Sequence, residues 1–327
     1  MKVEVLDRFA LVGESTWNDL LARSATPVPF LSWQWQSLWW EAFAQGRPLT
    51  ILHVSGANGR VVGLLPLYET AASVWQIVGG VDISDYLDLL AARGHEEEIW
   101  SALLHHRAAD TSAWELHCIR ADSPTASLVP HLAPAAGLSV TVQCEDRCPL
   151  LTLPESWEAY LNGLSGKARH ELRRKLRRLE REWPDATVTS HASPDGLDAA
   201  MTAFLTLHRR SKTGKARFMD ERMEGFFRNV ATALASRGWL RLWFLEHQGA
   251  AVAAYFCLEF EDSVGLYNSG FDPAQAALSP GVMLLSHVIR DAIDRRLAHF
   301  DFLRGEEPYK YSFGPVPQDV LNVVVRR

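Results

Sequence analysis

The chain has 327 residues, of which 47% are hydrophobic and 22% charged, and its formal net charge is −6 at pH 7. This composition is typical of a globular protein, and at about 150 residues per domain the length favours two domains. The negative charge argues against a dedicated nucleic-acid-binding protein. The N-terminal segment has no apolar core of a signal peptide, and no run of about 18 apolar residues could cross a membrane. We therefore expect a cytoplasmic protein without a transmembrane segment, with a peripheral position at the inner membrane face as an alternative.

The first half of the chain mixes hairpins with helices. A strand within Lys2–Phe9 precedes a tryptophan-rich helix that begins after Ser32, and Trp35, Trp39 and Phe43 share one face of that helix. Such a stripe usually belongs to the core, although it could also form the wall of an apolar pocket. Further along, the pattern predicts a hairpin, a strand, a helix over residues 96–108 and three more strands up to residue 153. This order indicates an α/β or α+β domain.

The second half opens with a long predicted helix, Ser156–Trp183. Residues 167–182 contain eight Lys or Arg and three Glu, so this helix is far more basic than the whole chain. A charged helix face is most often simply solvated. An anion contact is the alternative, and the anion would be a cofactor phosphate, a lipid phosphate or an RNA backbone.

The remaining pattern is helical first and then mostly extended. Helices are predicted at 197–209 and 221–236 with a basic loop, Ser211–Phe218, between them, and a hairpin covers 240–259. A strand at Val264–Phe271 leads to a helix for which Ser279 is a suitable N-cap and Pro280 the first helical residue. Short strands at 299–303 and 322–325 complete the chain. A helix N-terminus beside a strand end can bind an anion, and it can equally be an ordinary packing unit.

Several segments together resemble a known fold. They are the sequence Pro29-Phe30-Leu31-Ser32 with its tryptophan-rich helix, the hairpin end Gly63–Leu67, the basic helix from Lys167 to Arg181, His208-Arg209, Ser279-Pro280-Gly281 and, most specifically, Asp301–Lys310. The chain resembles the GCN5-related N-acetyltransferase (GNAT) superfamily in its tandem form. It is most similar to the CelD/BcsL acyltransferases, which are relatives of the FemAB-like aminoacyltransferases.

The resemblance implies an α/β (α+β) fold with two GNAT-like domains, each a mixed central sheet flanked by helices. The domains would span 1–153 and 154–327, with a return of the tail after residue 314 to the first domain as the alternative for that segment. It implies acyl-CoA or acetyl-CoA as co-substrate and no metal. The donor would contact Asn268, Ser269, Ser279, Pro280, Gly281 and Val282. The phosphate motif Q/R-x-x-G-x-G/A is matched only at Gly281, because Ala276 and Ser279 occupy the two preceding positions.

Acyl transfer to an amine requires removal of a proton from the amine, donors for the oxyanion and a leaving thiolate. The side chains that could move protons are His208, Glu306, Glu307, Tyr267, Tyr309 and Tyr311. The predicted catalytic residues are His208, Glu306 and Tyr267, with His208 or Glu306 as the base because these two lie in segments that match the family. The predicted substrate-binding residues are Arg209, Arg304, Lys310 and Tyr309. Each of these side chains could instead pair or pack structurally. The sequence has no G-x-S-x-G elbow and no HExxH motif.

Three functions follow from the resemblance. The first is an acyl-CoA-dependent N-acyltransferase that acts on a small-molecule, lipid or sugar amine of a cell-envelope or polysaccharide precursor. The second is an aminoacyltransferase that uses aminoacyl-tRNA, the one case in which nucleic acid is a partner. The third is a non-catalytic GNAT-fold binding module. The sequence carries no signal for an oligomeric state.

Overall fold

The computed structural model describes residues 1–70, 74–107 and 112–327. These residues form two compact units, one of residues 1–147 with 318–327 and one of residues 148–317. No helix in the described ranges has both the length and the apolar content needed to cross a membrane. The predicted end of a helix at Ala108 lies outside the described residues.

Groups of strands and groups of helices follow one another along the described ranges. The strands are β1 Lys2–Leu6, β2 Leu49–Ser55, β3 Val61–Glu69, β4 Val74–Ile77, β5 Leu90–Ala91, β6 Ala113–Arg120, β7 Ser139–Thr152, β8 Thr187–His191, β9 Leu240–His247, β10 Ala250–Phe260, β11 Ser263–Phe271, β12 His299–Asp301 and β13 Val316–Arg326. The helices are α1 Glu14–Leu21, α2 Trp33–Phe43, α3 Glu96–Arg107, α4 Pro124–Leu132, α5 Trp157–Gly163, α6 Gly166–Glu182, α7 Leu197–Ser211, α8 Thr213–Phe218, α9 Glu221–Ala235, α10 Pro280–Asp294 and α11 Pro308–Tyr311.

The first unit is built on a mixed sheet in the order β1-β2-β3-β4-β6-β13. The strand pair β4–β6 is parallel, and β13 runs antiparallel to β6, so the end of the chain belongs to this unit. The tryptophan stripe of α2 lies in the core: Trp35 and Trp39 are buried, and the indole N–H of Trp35 donates to the Ser84 hydroxyl at 2.8 Å. The core interpretation of this stripe is therefore confirmed.

The second unit has the sheet order β7-β12-β11-β10-β9-β8, with the residues of β7 from Cys148 onward at one edge. The pair β11–β12 is parallel, and its neighbours in the sheet are antiparallel. Side chains of α5, α6 and α10 pack with those of β9, β10 and β11 in one apolar cluster. A second group of rings joins α7 and α9 to the sheet through Phe204, Phe227 and Phe256. The mixed sheet flanked by helices confirms the predicted fold class.

Four predicted elements differ from the structure. Two of the three strands predicted before residue 153 are one continuous strand, β7, and the short last strand predicted at 322–325 is the 11-residue β13. The helix predicted as one piece over 156–183 is two helices, because α5 ends at Gly163 and Ser165 caps α6 by accepting a hydrogen bond from the Ala168 amide. The predicted basic loop is partly the short helix α8. Apolar periodicity alone cannot reveal a break of two residues, and a six-residue helix has too few turns to show a period.

Candidate active site

The edge of β11 opens where its parallel partner ends. The pairing with β12 covers Ser263–Gly265, whereas β11 continues to Phe271. Among the described residues, no strand pairs with this edge beyond Gly265. The pairing of β11 with β10 shifts register between Phe256 and Cys257, opposite Tyr267, and this shift is a β-bulge. Unpaired strand edges present N–H and C=O groups that an extended ligand can bond.

Helix α7 brings His208 onto β11. A Cβ atom on Gly270 would lie only 2.5 Å from the backbone nitrogen of His208, so only glycine permits this approach. The His208 ring is buried and hydrogen-bonds the Asn268 side chain, while its Nδ1 has no hydrogen-bond partner among the described residues. Burial, with the positive charge of Lys215 as a further cause, lowers the pKa of His208 to about 4. The imidazole is therefore neutral at pH 7 and a weak base.

Helix α8 brings Lys215 to the open edge. Its ammonium donates to the backbone carbonyl of Ser269 at 2.5 Å and to the Ser269 hydroxyl at 3.1 Å. The Ser269 amide donates to the side-chain oxygen of Asn268 at 2.9 Å. Burial and the charge of Lys212 lower the pKa of Lys215 to about 8, although Glu307 acts in the opposite direction.

The loop that follows β12 is fixed by Lys310. Its buried ammonium lies 3.2 Å from the carbonyl of Leu303, 2.7 Å from that of Arg304 and 3.0 Å from that of Gly305, and it pairs with Glu307 at 2.9 Å. Burial acts to raise the pKa of Glu307, but the hydrogen bond and charge of Lys310 hold that pKa below its usual value. The N–H donors of Lys310 are therefore used mainly to hold the loop in place.

The start of α10 lies against the side chain of Tyr255, whose hydroxyl donates to the Gly281 carbonyl at 2.7 Å. Ser279 occupies the predicted N-cap position, but its φ is +54° and its side chain makes no capping hydrogen bond. Pro280 has no N–H, and the Val282 amide bonds the Ser279 carbonyl at 2.9 Å. The helix begins where predicted, and the side-chain cap expected from Ser279 is wrong, because its left-handed backbone does not give the extended conformation usual at an N-cap.

The other predicted site residues take part in separate contacts. Arg209 pairs with Glu224 at 2.5 Å and donates to the Met219 carbonyl. Tyr267 places its ring 5.6 Å from that of Phe227. Glu306 is exposed and accepts from Tyr311 at 2.9 Å, Tyr309 is 40% exposed, and Arg304 is half-buried. Their predicted roles stay predictions.

The structure thus brings His208, Asn268 and Ser269 together at the edge of β11. It adds two residues that the sequence analysis did not single out, Lys215 and Tyr255. Lys215 belongs to the basic segment after α7. The sequence shows that this segment is positively charged, but not which of its cations faces the sheet. Tyr255 gave no signal, because a tyrosine in a buried strand usually belongs to the core.

The comparison with protein families is specific to this unit. Residues 166–311 match the family described as an acetyltransferase (GNAT) domain. The chain therefore contains a domain of the GNAT superfamily. It is an acyltransferase, and its GNAT domain contains every predicted site residue named above. No curated protein matches the chain in sequence.

Solved structures similar to this GNAT protein extend over nearly the whole chain. FemX is 10% identical with a TM-score of 0.67, and the match covers 98% of this chain and 96% of FemX. A conserved protein of unknown function from Bacteroides thetaiotaomicron is 12% identical with a TM-score of 0.66 and full coverage of both chains. The L-PGS of Bacillus licheniformis is 11% identical with a TM-score of 0.60, covering 96% of this chain and 92% of that protein. At these identities the likeness concerns the fold.

Proposed function

We propose that this GNAT protein is an N-acyltransferase that takes an acyl group from a CoA thioester and transfers it to an amine of a cell-envelope, polysaccharide or lipid precursor. The observation that carries the proposal is the edge of β11 from Leu266 to Gly270, which no described strand pairs. At Phe271 the edge ends, because the Ser211 hydroxyl of α7 bonds the amide and the carbonyl of that residue. Pantetheine is an extended chain with two amides, and such a chain can bond the N–H and C=O groups of a strand edge.

The phosphates of the donor would bind near the first turn of α10. The amide of Gly281 lies in that turn, where free N–H groups and the helix dipole both favour an anion. Helix α6 packs against α10 and against the segment 273–278 that leads into it. Its basic side chains are thus on a neighbouring element, and they support binding of a polyanionic donor.

The acceptor must reach the acyl carbon as a neutral amine. His208 is neutral at pH 7 and adjoins Asn268 at the same edge, so it supports the predicted role as proton acceptor, although its low pKa makes it a weak base. Glu306, the other predicted base, is an exposed residue of the loop after β12. Of the two candidate bases, His208 is the one that contacts β11, through its hydrogen bond with the Asn268 side chain.

An aminoacyl-tRNA donor is the second candidate function. Two features of the structure favour it: Pro280 removes one N–H from the first turn of α10, and α6 exposes cations such as Lys167, Arg177 and Arg178. A donor held mainly by such cations along an RNA backbone would bind with a steep dependence on salt concentration.

Donor binding tests the proposal with a charge-matched pair of variants. Gly281→Glu places a carboxylate in the first turn of α10, whereas Gly281→Gln adds a side chain of the same size without charge. We expect CoA and acetyl-CoA to bind the wild type, and Gly281→Glu to weaken binding roughly tenfold more than Gly281→Gln, since the phosphates and the new carboxylate repel each other. Isothermal titration at constant ionic strength gives the three affinities.

If both substitutions weakened CoA binding equally, the phosphates would not bind at the start of α10. No binding of CoA, acetyl-CoA or a long-chain acyl-CoA to the wild type would overturn the CoA proposal. In that case, binding of aminoacyl-tRNA that weakens steeply as salt rises would support the second candidate. Absence of binding to either donor would contradict both candidate functions.

A further inference from the structure

Lys215 has donor capacity that its observed contacts do not use. An ammonium has three N–H donors, and the described contacts of Lys215 are two, the carbonyl and the hydroxyl of Ser269. Both contacts hold the ammonium against the unpaired edge of β11. Four hydrogen-bonded or paired oxygens surround the other lysine of this region, Lys310, which leaves that residue committed to the loop.

The backbone of β11 is less suited to supply the same donor. Transfer of an acyl group builds negative charge on the carbonyl oxygen, and a donor aimed at that oxygen lowers the barrier. Backbone amides of β11 are the alternative donors, but the Ser269 amide already bonds the Asn268 side chain. The cation beside Ser269 can reach the same edge without breaking that bond.

The charges around Lys215 allow it to act as a cation at neutral pH. Lys212 and Lys310 repel the positive charge and Glu307 attracts it, while burial of the side chain disfavours it. The resulting pKa of about 8 leaves most of the amine protonated at pH 7 and predicts loss of the cation as the pH rises above 8. His208, the other titratable group that faces this point from α7, is neutral in the same range.

We propose that Lys215 is a catalytic residue that donates its third N–H to the carbonyl oxygen of the donor's acyl group. This inference rests on the proposed acyl-transfer function. The amine nitrogen of the acceptor bonds to the carbonyl carbon, and the π pair of the C=O bond moves to the oxygen that Lys215 holds. The C=O bond then re-forms and the C–S bond breaks, so that the amide and CoA are released, with the proton of the amine ending on the thiol. An ester donor follows the same course with an alcohol as the leaving group.

The test uses infrared spectroscopy of acetyl-CoA labelled with carbon-13 at the carbonyl, bound to the full chain. We expect the bound carbonyl to absorb at a lower frequency than free acetyl-CoA in the wild type. Lys215→Met should remove most of this shift, Lys215→Arg should keep part of it, and Lys212→Met, which changes the neighbouring lysine, should keep all of it. Affinity for CoA, which has no acyl carbonyl, should stay within about threefold of the wild type in each variant, as expected for an interaction specific to the acyl group.

Turnover with a simple amine acceptor such as glucosamine provides a second readout. Loss of one oxyanion donor lowers kcat by roughly 100-fold or more, so Lys215→Met should fall by about that factor while Lys212→Met stays near the wild type. The wild-type rate should also fall above about pH 8, because Lys215 loses its positive charge there. In Lys215→Arg this fall should move to higher pH, because the guanidinium stays charged.

The outcomes separate the inference from the function on which it rests. A wild type that binds no acyl-CoA overturns the CoA-dependent function and the inference together. A wild type that binds acetyl-CoA with the same carbonyl frequency as Lys215→Met overturns the inference alone. If Lys215 were only structural, its replacement would lower CoA affinity or stability and leave the carbonyl frequency of bound acetyl-CoA unchanged.

Discussion

Asp88 is a buried carboxyl in the first unit, 5% exposed. It accepts hydrogen bonds from the hydroxyls of Ser123 and Thr125 and, at 2.7 Å, from the Leu89 amide. Burial raises its pKa to about 6 from an ordinary value of 3.8, although these hydrogen bonds act in the opposite direction. The folded protein therefore binds a proton at Asp88 over a pH range in which the unfolded chain has released it.

The sign of the resulting pH dependence follows from this order. Between about pH 4 and pH 6 the folded state holds more protons at Asp88 than the unfolded state, so the free energy of unfolding falls as the pH rises, by roughly 3 kcal/mol in total. Asp88→Asn keeps hydrogen-bonding groups at the same place and does not titrate. We expect this variant to gain stability relative to the wild type by about that amount between pH 4 and pH 7. Urea unfolding of both proteins across this range measures the gain, and a stability difference that is independent of pH would contradict it.

Individual residues also show where sequence reasoning reached its limit in the candidate site. His208 and Ser269 were identified by their segments, and the structure places both at the edge of β11. The contact between Gly270 and the backbone of α7 could not be predicted, since a glycine in a strand does not reveal which element approaches it. Lys215 was one cation among several in a basic segment, and only the tertiary structure selects it.

Among the secondary-structure elements, the sequence predicts most strands and helices of the second unit, because each of these segments is long enough to show a clear apolar periodicity. Helix α10 begins at Pro280 as expected, since proline fits the first helical position. Two features are not readable in the same way: the break between α5 and α6, and the end of the β11–β12 pairing at Gly265. The break is marked locally by the Ser165 cap, which apolar periodicity does not show, whereas the end of the pairing depends on tertiary contacts.

The position of α10 depends on a hydrogen bond between elements. Tyr255 of β10 donates to the carbonyl of Gly281, and Tyr160 of α5 makes a similar bond to the carbonyl of Phe313 at 2.9 Å. Tyr255→Phe and Tyr160→Phe should each lower the free energy of unfolding by about 1 kcal/mol, the usual worth of one hydrogen bond. We expect only Tyr255→Phe to weaken CoA binding as well, because only that bond fixes the start of α10.

Urea unfolding and isothermal titration of the two variants measure the pair of effects. Tyr160→Phe is the matched control, since it removes the same type of bond from the same unit. Equal CoA affinities in the two variants, with both proteins folded, would show that the position of Gly281 does not affect donor binding.

At the scale of the whole molecule, the GNAT domain at 166–311 lies within the second compact unit, and the residues proposed to act on the donor belong to it. The net charge of −6 contrasts with the eight Lys or Arg of residues 167–182, which concentrate positive charge on one helix of that unit. The acidic remainder of the chain disfavours general binding of polyanions, whereas this helix favours one anionic donor.

The central proposal is that an acyl-CoA donor lies along the unpaired edge of β11 with its phosphates at the start of α10. Hydrogen–deuterium exchange of the full chain, with and without saturating acetyl-CoA at constant salt, tests it most directly. We predict slower amide exchange in peptides that cover residues 266–270 and 281–284, because the donor would bond or cover those amides. If acetyl-CoA binds and exchange slows only in other parts of the chain, the donor does not occupy this edge and the proposal is contradicted.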